Sequence, residues 1–331
     1  MKRAAKIRWV FLGLLAIVCG LTPRAREFTV FDVVGDSVSF GLNPDYPGTL
    51  TVYGWVHMLQ GAGGFPWPPP MDETIFTLWP EITSFNSAVG GTTAADWVET
   101  GNPFLPLVLA HHPDLVAVMI GGNDFRKAHS DDGIFSLAEQ EQLRANISLL
   151  IEQLQALEPA PEIIIVGYYD LFDGFSHNHP LPKYVNYSPD TVIGNGIMHA
   201  VARRYRCIWL PIADEFMHHA YGRDLGDTGH LLPDYFRLPL IEFNIHPITP
   251  GHAQIYELMQ ARLARLKLSA EPGDANADGA VDDADAGALA DYVAGNTVSL
   301  PAAGAEAAEL DGTDGLTAAD LAILEIILLP R

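Results

Sequence analysis

Cysteine is almost absent from this chain, which has two cysteines among 331 residues. Cys19 lies in an apolar N-terminal run and Cys207 in a second apolar run far along the chain. Loss of the N-terminal segment leaves one cysteine, so the fold cannot depend on intramolecular disulfides. Cys207 is expected to be a buried small apolar residue rather than a nucleophile. Stability must therefore come from an apolar core, and 48% of the residues are hydrophobic.

Basic residues are also scarce. The chain has 19 Lys and Arg against 41 Asp and Glu, a formal net charge of −22 at pH 7. Five of the basic residues and no acidic ones lie in residues 1–25, so removal of that segment would take the charge from −22 to −27. Such an acidic surface repels nucleic acid and anionic lipid, and neither is an expected partner.

Residues 1–25 have the pattern of a signal peptide. An apolar run, Trp9–Leu21, follows four basic side chains and is too short for a comfortable membrane span. Residues 23–25 form a mediocre cleavage site, and an uncleaved anchor is the alternative. The protein is therefore expected to be secreted or at the cell surface, with no membrane contact beyond export.

Apolar runs of strand length alternate with helical patterns between residues 29 and 268. Because the runs are nearly continuously apolar, they predict a parallel sheet covered on both faces by helices, an α/β fold of flavodoxin-like type. The strand order 2-1-3-4-5 is assigned by analogy with that fold. The expected strands are 29–34, 82–89, 114–120, 162–168 and 207–212, and the expected helices are 53–60, 136–157, one from Ser188, and 249–268.

Groups suited to acyl transfer follow the predicted strands at the points where they end. Ser37, a candidate nucleophile, lies in Gly35-Asp36-Ser37 after the first strand. Gly91 offers a backbone N–H after the second strand, and Asn123 a side-chain amide after the third. His246, beyond the fifth strand, is a candidate general base. The carboxyl ends of parallel strands share one edge of a sheet, so these residues are expected to converge.

This ordered set resembles the SGNH (GDSL) hydrolase superfamily over roughly residues 28–268. Its blocks are similar to Gly35-Asp36-Ser37, Gly91, Gly121-Gly122-Asn123-Asp124 and His246-Pro247. The resemblance implies that Ser37 attacks an ester carbonyl and that His246 accepts its proton. It also implies that the N–H groups of Ser37 and Gly91 and the amide of Asn123 hold the oxyanion, with no cofactor in catalysis.

The sequence departs from the family pattern just before His246. The family usually has Asp three residues before the histidine, where this chain has Phe243. Glu242 is acidic, but neighbouring side chains of an extended segment point to opposite faces. Glu242 is the preferred third catalytic residue. Asp234 and a Ser-His dyad oriented by a backbone carbonyl are the alternatives.

The composition changes after residue 270 to Ala, Asp and Gly. Residues 271–331 contain 13 acidic residues and one basic residue, a net of −12. Residues 274–285 have oxygen ligands at loop positions 1, 3, 5, 9 and 12 and glycine at position 6, the pattern of a Ca²⁺ loop. A second, less regular copy spans 309–320. The predicted ligands are Asp274, Asn276, Asp278, the Ala280 carbonyl, Asp282, Asp285, Glu309, Asp311 and Asp320.

This duplication resembles the dockerin module of polysaccharide-degrading assemblies. The resemblance implies a small all-α domain that folds on structural Ca²⁺ and docks onto a cohesin-like partner. The second loop has Asp314 where glycine is expected, which leaves its occupancy open. The predicted organisation is a signal peptide (1–25), a hydrolase domain (26–270) and a dockerin-like domain (271–331).

The predicted function is that of an exported serine esterase that removes acyl groups, chiefly acetyl, from carbohydrate. A lipid or general carboxyl-ester hydrolase is the first alternative. A non-catalytic surface-binding protein is the second, and only Phe243 favours it. A hydrolysis panel of esters separates the first two readings.

Overall fold

A computed structural model describes residues 26–45, 53–61, 73–131, 134–229, 234–236, 245–268, 275, 283–296, 300, 308, 316–318 and 320–322. The chain divides into two compact units, Glu27–Ala264 and a second that comprises Met1–Arg26 with Arg265–Arg331. None of the helices within the described ranges has the length and apolar character needed to cross a membrane.

A five-stranded parallel sheet in the described residues forms the centre of the first unit. Its order, β2-β1-β3-β4-β5, confirms the predicted order. The strands are β1 (Val30–Gly35), β2 (Thr83–Ser84), β3 (Leu115–Met119), β4 (Glu162–Val166) and β5 (Ile208–Leu210).

Helices follow or separate the strands along the chain. Helix α11 has the predicted bounds, and α8 begins one residue before Ser188. The described helices are α1 (Ser37–Phe40), α2 (Trp55–Leu59), α3 (Ile75–Leu78), α4 (Ala94–Val98), α5 (Phe104–His111), α6 (Gly122–Asp131), α7 (Leu137–Gln155), α8 (Tyr187–Arg204), α9 (Ala213–Phe216), α10 (Gly222–Leu225), α11 (Thr249–Leu268) and α12 (Asp283–Val293).

The N-terminus of α7 shows how the sequence sets a boundary. Ser136 is the N-cap, and its side chain accepts a hydrogen bond from the Glu139 N–H. Glu139 in turn accepts from the Ser136 backbone N–H at 2.8 Å and from its hydroxyl at 2.6 Å. The predicted capping box is therefore confirmed, and it satisfies N–H groups that have no partner within the helix.

The core lies on both faces of the sheet. All five residues of β3 are buried, and so are the last five of β1. Because successive strand side chains point to opposite faces, unbroken burial means that both faces are covered. Burial of each large aliphatic side chain contributes about 1.5–3 kcal/mol to stability. This burial stabilises β1 and β3, and the residues that follow their carboxyl ends start from a well-packed position.

Strand β2 is shorter than predicted, and a buried carboxylate explains the difference. The N–H groups of Phe85, Ser87 and Val89 still donate to β1 carbonyls at 2.8, 3.1 and 2.9 Å. The N–H of Val33, whose ladder partner would be the Phe85 carbonyl, donates to Asp32 Oδ1 at 2.8 Å. Beyond Ser84, hydrogen bonds from this segment to β1 therefore continue, whereas the return bond from the Val33 N–H is absent. The segment still runs beside β1 as far as Val89.

Candidate active site

Ser37 lies at the turn between β1 and α1 and is 5% exposed. A side chain at Gly35 would place a Cβ 2.6 Å from Ser39 Oγ and 3.0 Å from the Met119 carbonyl oxygen, so the reversal requires glycine. Asp36 is the N-cap of α1, and its Oδ1 accepts from the Val38 N–H at 2.9 Å. The sequence Gly-Asp-Ser thus fixes the position of the Ser37 hydroxyl at the carboxyl end of the sheet.

His246 lies against Ser37 although 209 positions separate them. The ring Nε2 is 2.8 Å from Ser37 Oγ. Two contacts hold the segment that carries the ring: Tyr169 O–H donates to the Ile245 carbonyl, and the Ile248 N–H donates to the Tyr235 carbonyl, each at 2.8 Å. Hydrogen bonds to the residues before and after His246 in the chain therefore fix the position of the imidazole.

A second set of contacts ties the start of α11 to the segment after α1. The Thr249 N–H donates to Asp45 Oδ2 at 2.9 Å, and Asn43 Nδ2 donates to Thr249 Oγ1 at 3.2 Å. His252 in the same helix is fully buried, with Nε2 3.0 Å from the Leu42 carbonyl oxygen. Ser37 and His246 are thus followed in the chain by segments that contact each other, and His252 has a structural role between them.

The environment of His246 keeps its ring neutral. Burial, the larger effect, and the positive charge of Arg126 together lower the pKa of His246 to about 4. A neutral imidazole with its proton on Nδ1 presents Nε2 as an acceptor for the Ser37 O–H. At neutral pH the ring can therefore act as a base toward this hydroxyl.

Asn123, in the first turn of α6, is 3% exposed. Its Nδ2 donates to the Thr92 carbonyl at 2.8 Å and lies 3.5 Å from Asp36 Oδ2. Its Oδ1 accepts from Arg126 Nε at 3.1 Å. The amide group is therefore fixed between the loop after β2 and its own helix, close to the turn that carries Ser37.

The loop after β2 contains two glycines, one of which lies beside Ser37. A Cβ at Gly90 would lie 3.8 Å from Ser37 Cβ. Gly91 has φ +81°, a conformation that favours glycine, and nothing lies within 4 Å of the position that its Cβ would take. Asp124 Oδ2 accepts from the Ala94 N–H at 3.0 Å, so α6 also anchors this loop. The space that a side chain at Gly91 would occupy is therefore empty.

Asp36 and Tyr168 form a buried pair that the sequence patterns did not identify. Tyr168 O–H donates to Asp36 Oδ2 at 2.7 Å, and its oxygen is 3.1 Å from the Met119 carbonyl oxygen. Burial raises the pKa of Asp36 to about 6, against the opposing effects of the Tyr168 hydrogen bond and the Arg126 charge. Tyr168 follows β4 at the same edge of the sheet, and Arg126 lies three residues after Asn123 on α6. These sequence positions were the signal by which both residues could have been identified.

The residue that orients His246 falls where description is incomplete. Glu242 and Phe243 lie outside the described residues. Asp234, the alternative, has its Oδ2 3.7 Å from Arg223 Nη1. That contact gives the Asp234 carboxylate a cationic partner on α10, and the choice among Glu242, Asp234 and a dyad stays a prediction.

Two of the nine predicted calcium ligands are described. Asp285 and Asp320 are both 0% exposed. In this unit Ala275, Leu289 and Ala308 form a small buried cluster, and Ala286 and Leu321 pack against it. No group of three or more His, Cys, Asp or Glu side chains suited to a metal occurs within the described part of the chain. The remaining predicted ligands, Asp274, Asn276, Asp278, Ala280, Asp282, Glu309 and Asp311, lie outside it.

Comparison with known proteins gives the following matches. The model of the GDSL-like lipase/acylhydrolase family matches residues 33–254, about two thirds of the chain. No curated protein matches. Among solved structures, the chain is similar to an acetylxylan esterase from Geobacillus stearothermophilus, with 17% identity over 72% of this chain and 96% of that chain and a TM-score of 0.49.

Two further structures are similar at the same level. The acetyl xylan esterase AlAXEase has 15% identity over 70% of this chain and 98% of that chain, with a TM-score of 0.48. A putative GDSL-like lipase from Parabacteroides merdae has 16% identity over 74% of this chain and 100% of that chain, with a TM-score of 0.46. The family match includes Ser37, Gly91, Asn123 and His246.

Proposed function

Because the chain belongs to the GDSL-like lipase/acylhydrolase family and is a carboxylic ester hydrolase, we propose that it cleaves esters through a covalent acyl-serine intermediate on Ser37. The observation that carries this proposal is the 2.8 Å contact between His246 Nε2 and Ser37 Oγ. The pKa of His246, lowered to about 4, means that the ring is neutral at neutral pH, with Nε2 as an acceptor for the hydroxyl proton.

In the proposed reaction Ser37 Oγ attacks the ester carbonyl carbon while His246 Nε2 takes the hydroxyl proton. The oxyanion that forms is held by the N–H groups of Ser37 and Gly91 and by the Asn123 amide. Collapse of the tetrahedral intermediate expels the alcohol, which takes the proton back from His246. Water, deprotonated by the same ring, then releases the acid and restores Ser37. Removal of one such oxyanion donor costs about 3–4 kcal/mol of transition-state stabilisation in comparable sites.

The third catalytic residue is proposed to be Glu242. Asp234, whose Oδ2 lies 3.7 Å from Arg223 Nη1, is the alternative. Replacement of Glu242 by Gln should lower kcat strongly, and replacement of Asp234 by Asn should not. Equal activity of both variants with the wild type would favour the dyad with a backbone carbonyl.

The substrate is proposed to be an acylated carbohydrate, on the basis of the duplicated acidic loops after residue 270. A lipid or longer acyl ester is the second candidate, and one observation favours it. Phe40 and Leu42, three and five residues after Ser37, are each 38% exposed, and apolar side chains beside a nucleophile suit an apolar acyl chain.

A hydrolysis panel tests this choice. Acetylated oligosaccharides and simple esters with acyl chains of increasing length should be compared by kcat/KM, with Ser37→Ala as the blank. The carbohydrate proposal expects the acetylated sugars to be the best substrates and activity to fall as the acyl chain lengthens. A kcat/KM that rises with acyl length would replace it with the lipid reading.

Residues 271–331 are proposed to bind Ca²⁺ through the two repeated loops and to dock onto a cohesin-like protein after export. Asp285 and Asp320 support this, since both occupy position 12 of their loops and both are fully buried. Ala286 and Leu321, at the next position of each copy, pack against the same cluster. Asp320 Oδ2 also accepts from the Thr317 N–H at 2.8 Å and from the Thr317 hydroxyl at 3.2 Å, which links positions 9 and 12 of the second loop. Oxygen atoms are the ligands that Ca²⁺ prefers.

Chelation tests the calcium proposal. EDTA should make residues 271–331 sensitive to protease, because binding of the ion is coupled to folding. Ester hydrolysis should continue, since its proposed residues all lie before residue 265. Loss of hydrolysis with the C-terminal segment still protected would contradict the assignment.

A further inference from the structure

Arg126 contacts Asn123, a proposed member of the oxyanion hole, at the oxygen of its amide. Its Nε–H donates to Asn123 Oδ1 at 3.1 Å, while Asn123 Nδ2 donates to the Thr92 carbonyl at 2.8 Å. Each contact admits only one orientation of the amide. The guanidinium has donors alone and the carbonyl only acceptor capacity, so a flipped amide would set nitrogen against nitrogen and oxygen against oxygen.

The amide has two N–H hydrogens, and the Thr92 carbonyl uses one of them. The second donates to Asp36 Oδ2, at the turn with Ser37, over a long contact of 3.5 Å, so it is the more weakly held of the two. A hydrogen bond from a cation to Oδ1 also polarises the amide, which makes its N–H groups stronger donors. Both effects are of use only when negative charge develops on the substrate oxygen.

We propose that Arg126 is a positioning residue of this esterase, whose Nε–H holds and polarises the Asn123 amide so that its more weakly held N–H can turn from Asp36 to the oxyanion. The inference rests on the proposed role of Asn123. In this proposal Arg126 acts through Asn123, so its effect must disappear when that amide is absent.

Two substitutions separate the hydrogen bond from the charge. Arg126→Gln places an N–H donor the same number of bonds from Cα as the arginine Nε, and Arg126→Met places a methyl group there. Both remove the positive charge that lowers the pKa of His246, so a difference between them reports the hydrogen bond. Arg144→Met, on the exposed side of α7, is the matched control.

Steady-state hydrolysis of a short-chain acetyl ester should be measured for these variants with and without Asn123→Ala. We expect Arg126→Met to lower kcat about tenfold with KM within about twofold, and Arg126→Gln to lower kcat only two- to threefold. In the Asn123→Ala background the two variants should differ by less than about twofold. The Arg144→Met control should match the wild type.

Equal losses in Arg126→Met and Arg126→Gln would overturn the proposal, because the charge alone would then explain them. So would a difference of the same size in the Asn123→Ala background, or an effect confined to KM. Thermal unfolding must show that each variant is folded. If Arg126→Met is not folded, Arg126→Ala, which also lacks the donor, takes its place. If Asn123→Ala itself leaves kcat unchanged, the proposed function of Asn123 fails together with this inference. If Asn123→Ala lowers kcat but Arg126→Met does not, only the inference is overturned.

Discussion

Two clusters beside strand β1 each contain a serine and a histidine, and their hydrogen bonds differ. At the carboxyl end of the strand His246 Nε2 lies 2.8 Å from Ser37 Oγ. In its middle, His111 Nδ1 lies 2.7 Å from Asp32 Oδ2, and Ser87 Oγ donates to the same oxygen at 3.1 Å. The first cluster joins serine to imidazole. In the second, both serine and imidazole are joined to the carboxylate.

This difference separates a reactive serine from a structural one. A hydroxyl becomes a nucleophile when a base can take its proton, and Nε2 of a neutral imidazole is such a base. Ser87 donates to a carboxylate whose pKa burial raises, so Asp32 is itself stabilised by the contact. His111 is stacked on Phe85, with ring centroids 3.8 Å apart, and closes the cluster toward solvent. The presence of Ser, His and Asp is therefore insufficient; the direction of each hydrogen bond decides the chemistry.

The largest effect should come from exchanging the two serines for alanine. Ser37→Ala removes the proposed nucleophile and should lower kcat at least about 10⁴-fold, as removal of the serine does in enzymes of this mechanism. Ser87→Ala should leave kcat within about twofold, because that hydroxyl contacts no base. Steady-state ester hydrolysis measures both. Residual activity of Ser37→Ala above about one per cent would exclude Ser37, and a loss in Ser87→Ala comparable to it would mean that the two clusters had been assigned the wrong roles.

Much of the first cluster follows from sequence spacing. Ser37, Gly91, Asn123 and His246 were assigned to strand ends, and parallel strands end at one edge of a sheet. The structure does bring Ser37 and His246 into contact and places Gly90 beside Ser37. Which nitrogen of the ring faces the hydroxyl depended on packing of the segment after Ile245, and no local pattern encodes that.

The second cluster could not be predicted, for a related reason. Asp32 is an acidic residue inside an apolar strand, and its partners lie 55 and 79 positions away. Periodicity shows that a strand is buried, but not which distant side chain satisfies a buried carboxylate. The shortening of β2 follows from the same residue, since Asp32 takes the Val33 N–H. Arg126 and Tyr168 were missed because their contacts are likewise tertiary.

The next largest effect should come from the amide of the first cluster. Asn123→Ala should lower kcat by about 10²–10³-fold, the effect of one oxyanion donor, with little change in KM, because the oxyanion exists only in the transition state. Asn146→Ala, which removes another buried amide, from α7, is the control and should change stability without changing kcat. A change of KM alone in Asn123→Ala would assign the amide to ground-state binding.

The second cluster should be important for stability rather than activity. His111→Ala leaves the fully buried Asp32 without its imidazole partner and should lower the free energy of unfolding by about 1–3 kcal/mol. Activity should stay within about twofold. Denaturant unfolding measures the first and steady-state kinetics the second, with the exposed His177→Ala as control. An unchanged unfolding free energy, or a large loss of kcat, would remove the contrast with His246.

The smallest expected effect is a shift in pH dependence, which tests whether the charge of Asp36 is needed. Since the pKa of His246 is lowered to about 4, kcat/KM should stay constant as the pH falls from 7 to about 5 and be half lost near pH 4.

The Asp36 carboxyl, with its pKa raised to about 6, takes up a proton before the pH falls to 4. A neutral carboxyl still accepts from the Val38 N–H through one oxygen and donates from the other toward Tyr168, so its protonation should leave the turn in place. Asp36→Asn has the same donor and acceptor as the neutral acid and should keep the acid limb near pH 4. A wild-type limb near pH 6 that Asp36→Asn abolishes would show that the turn requires the carboxylate charge.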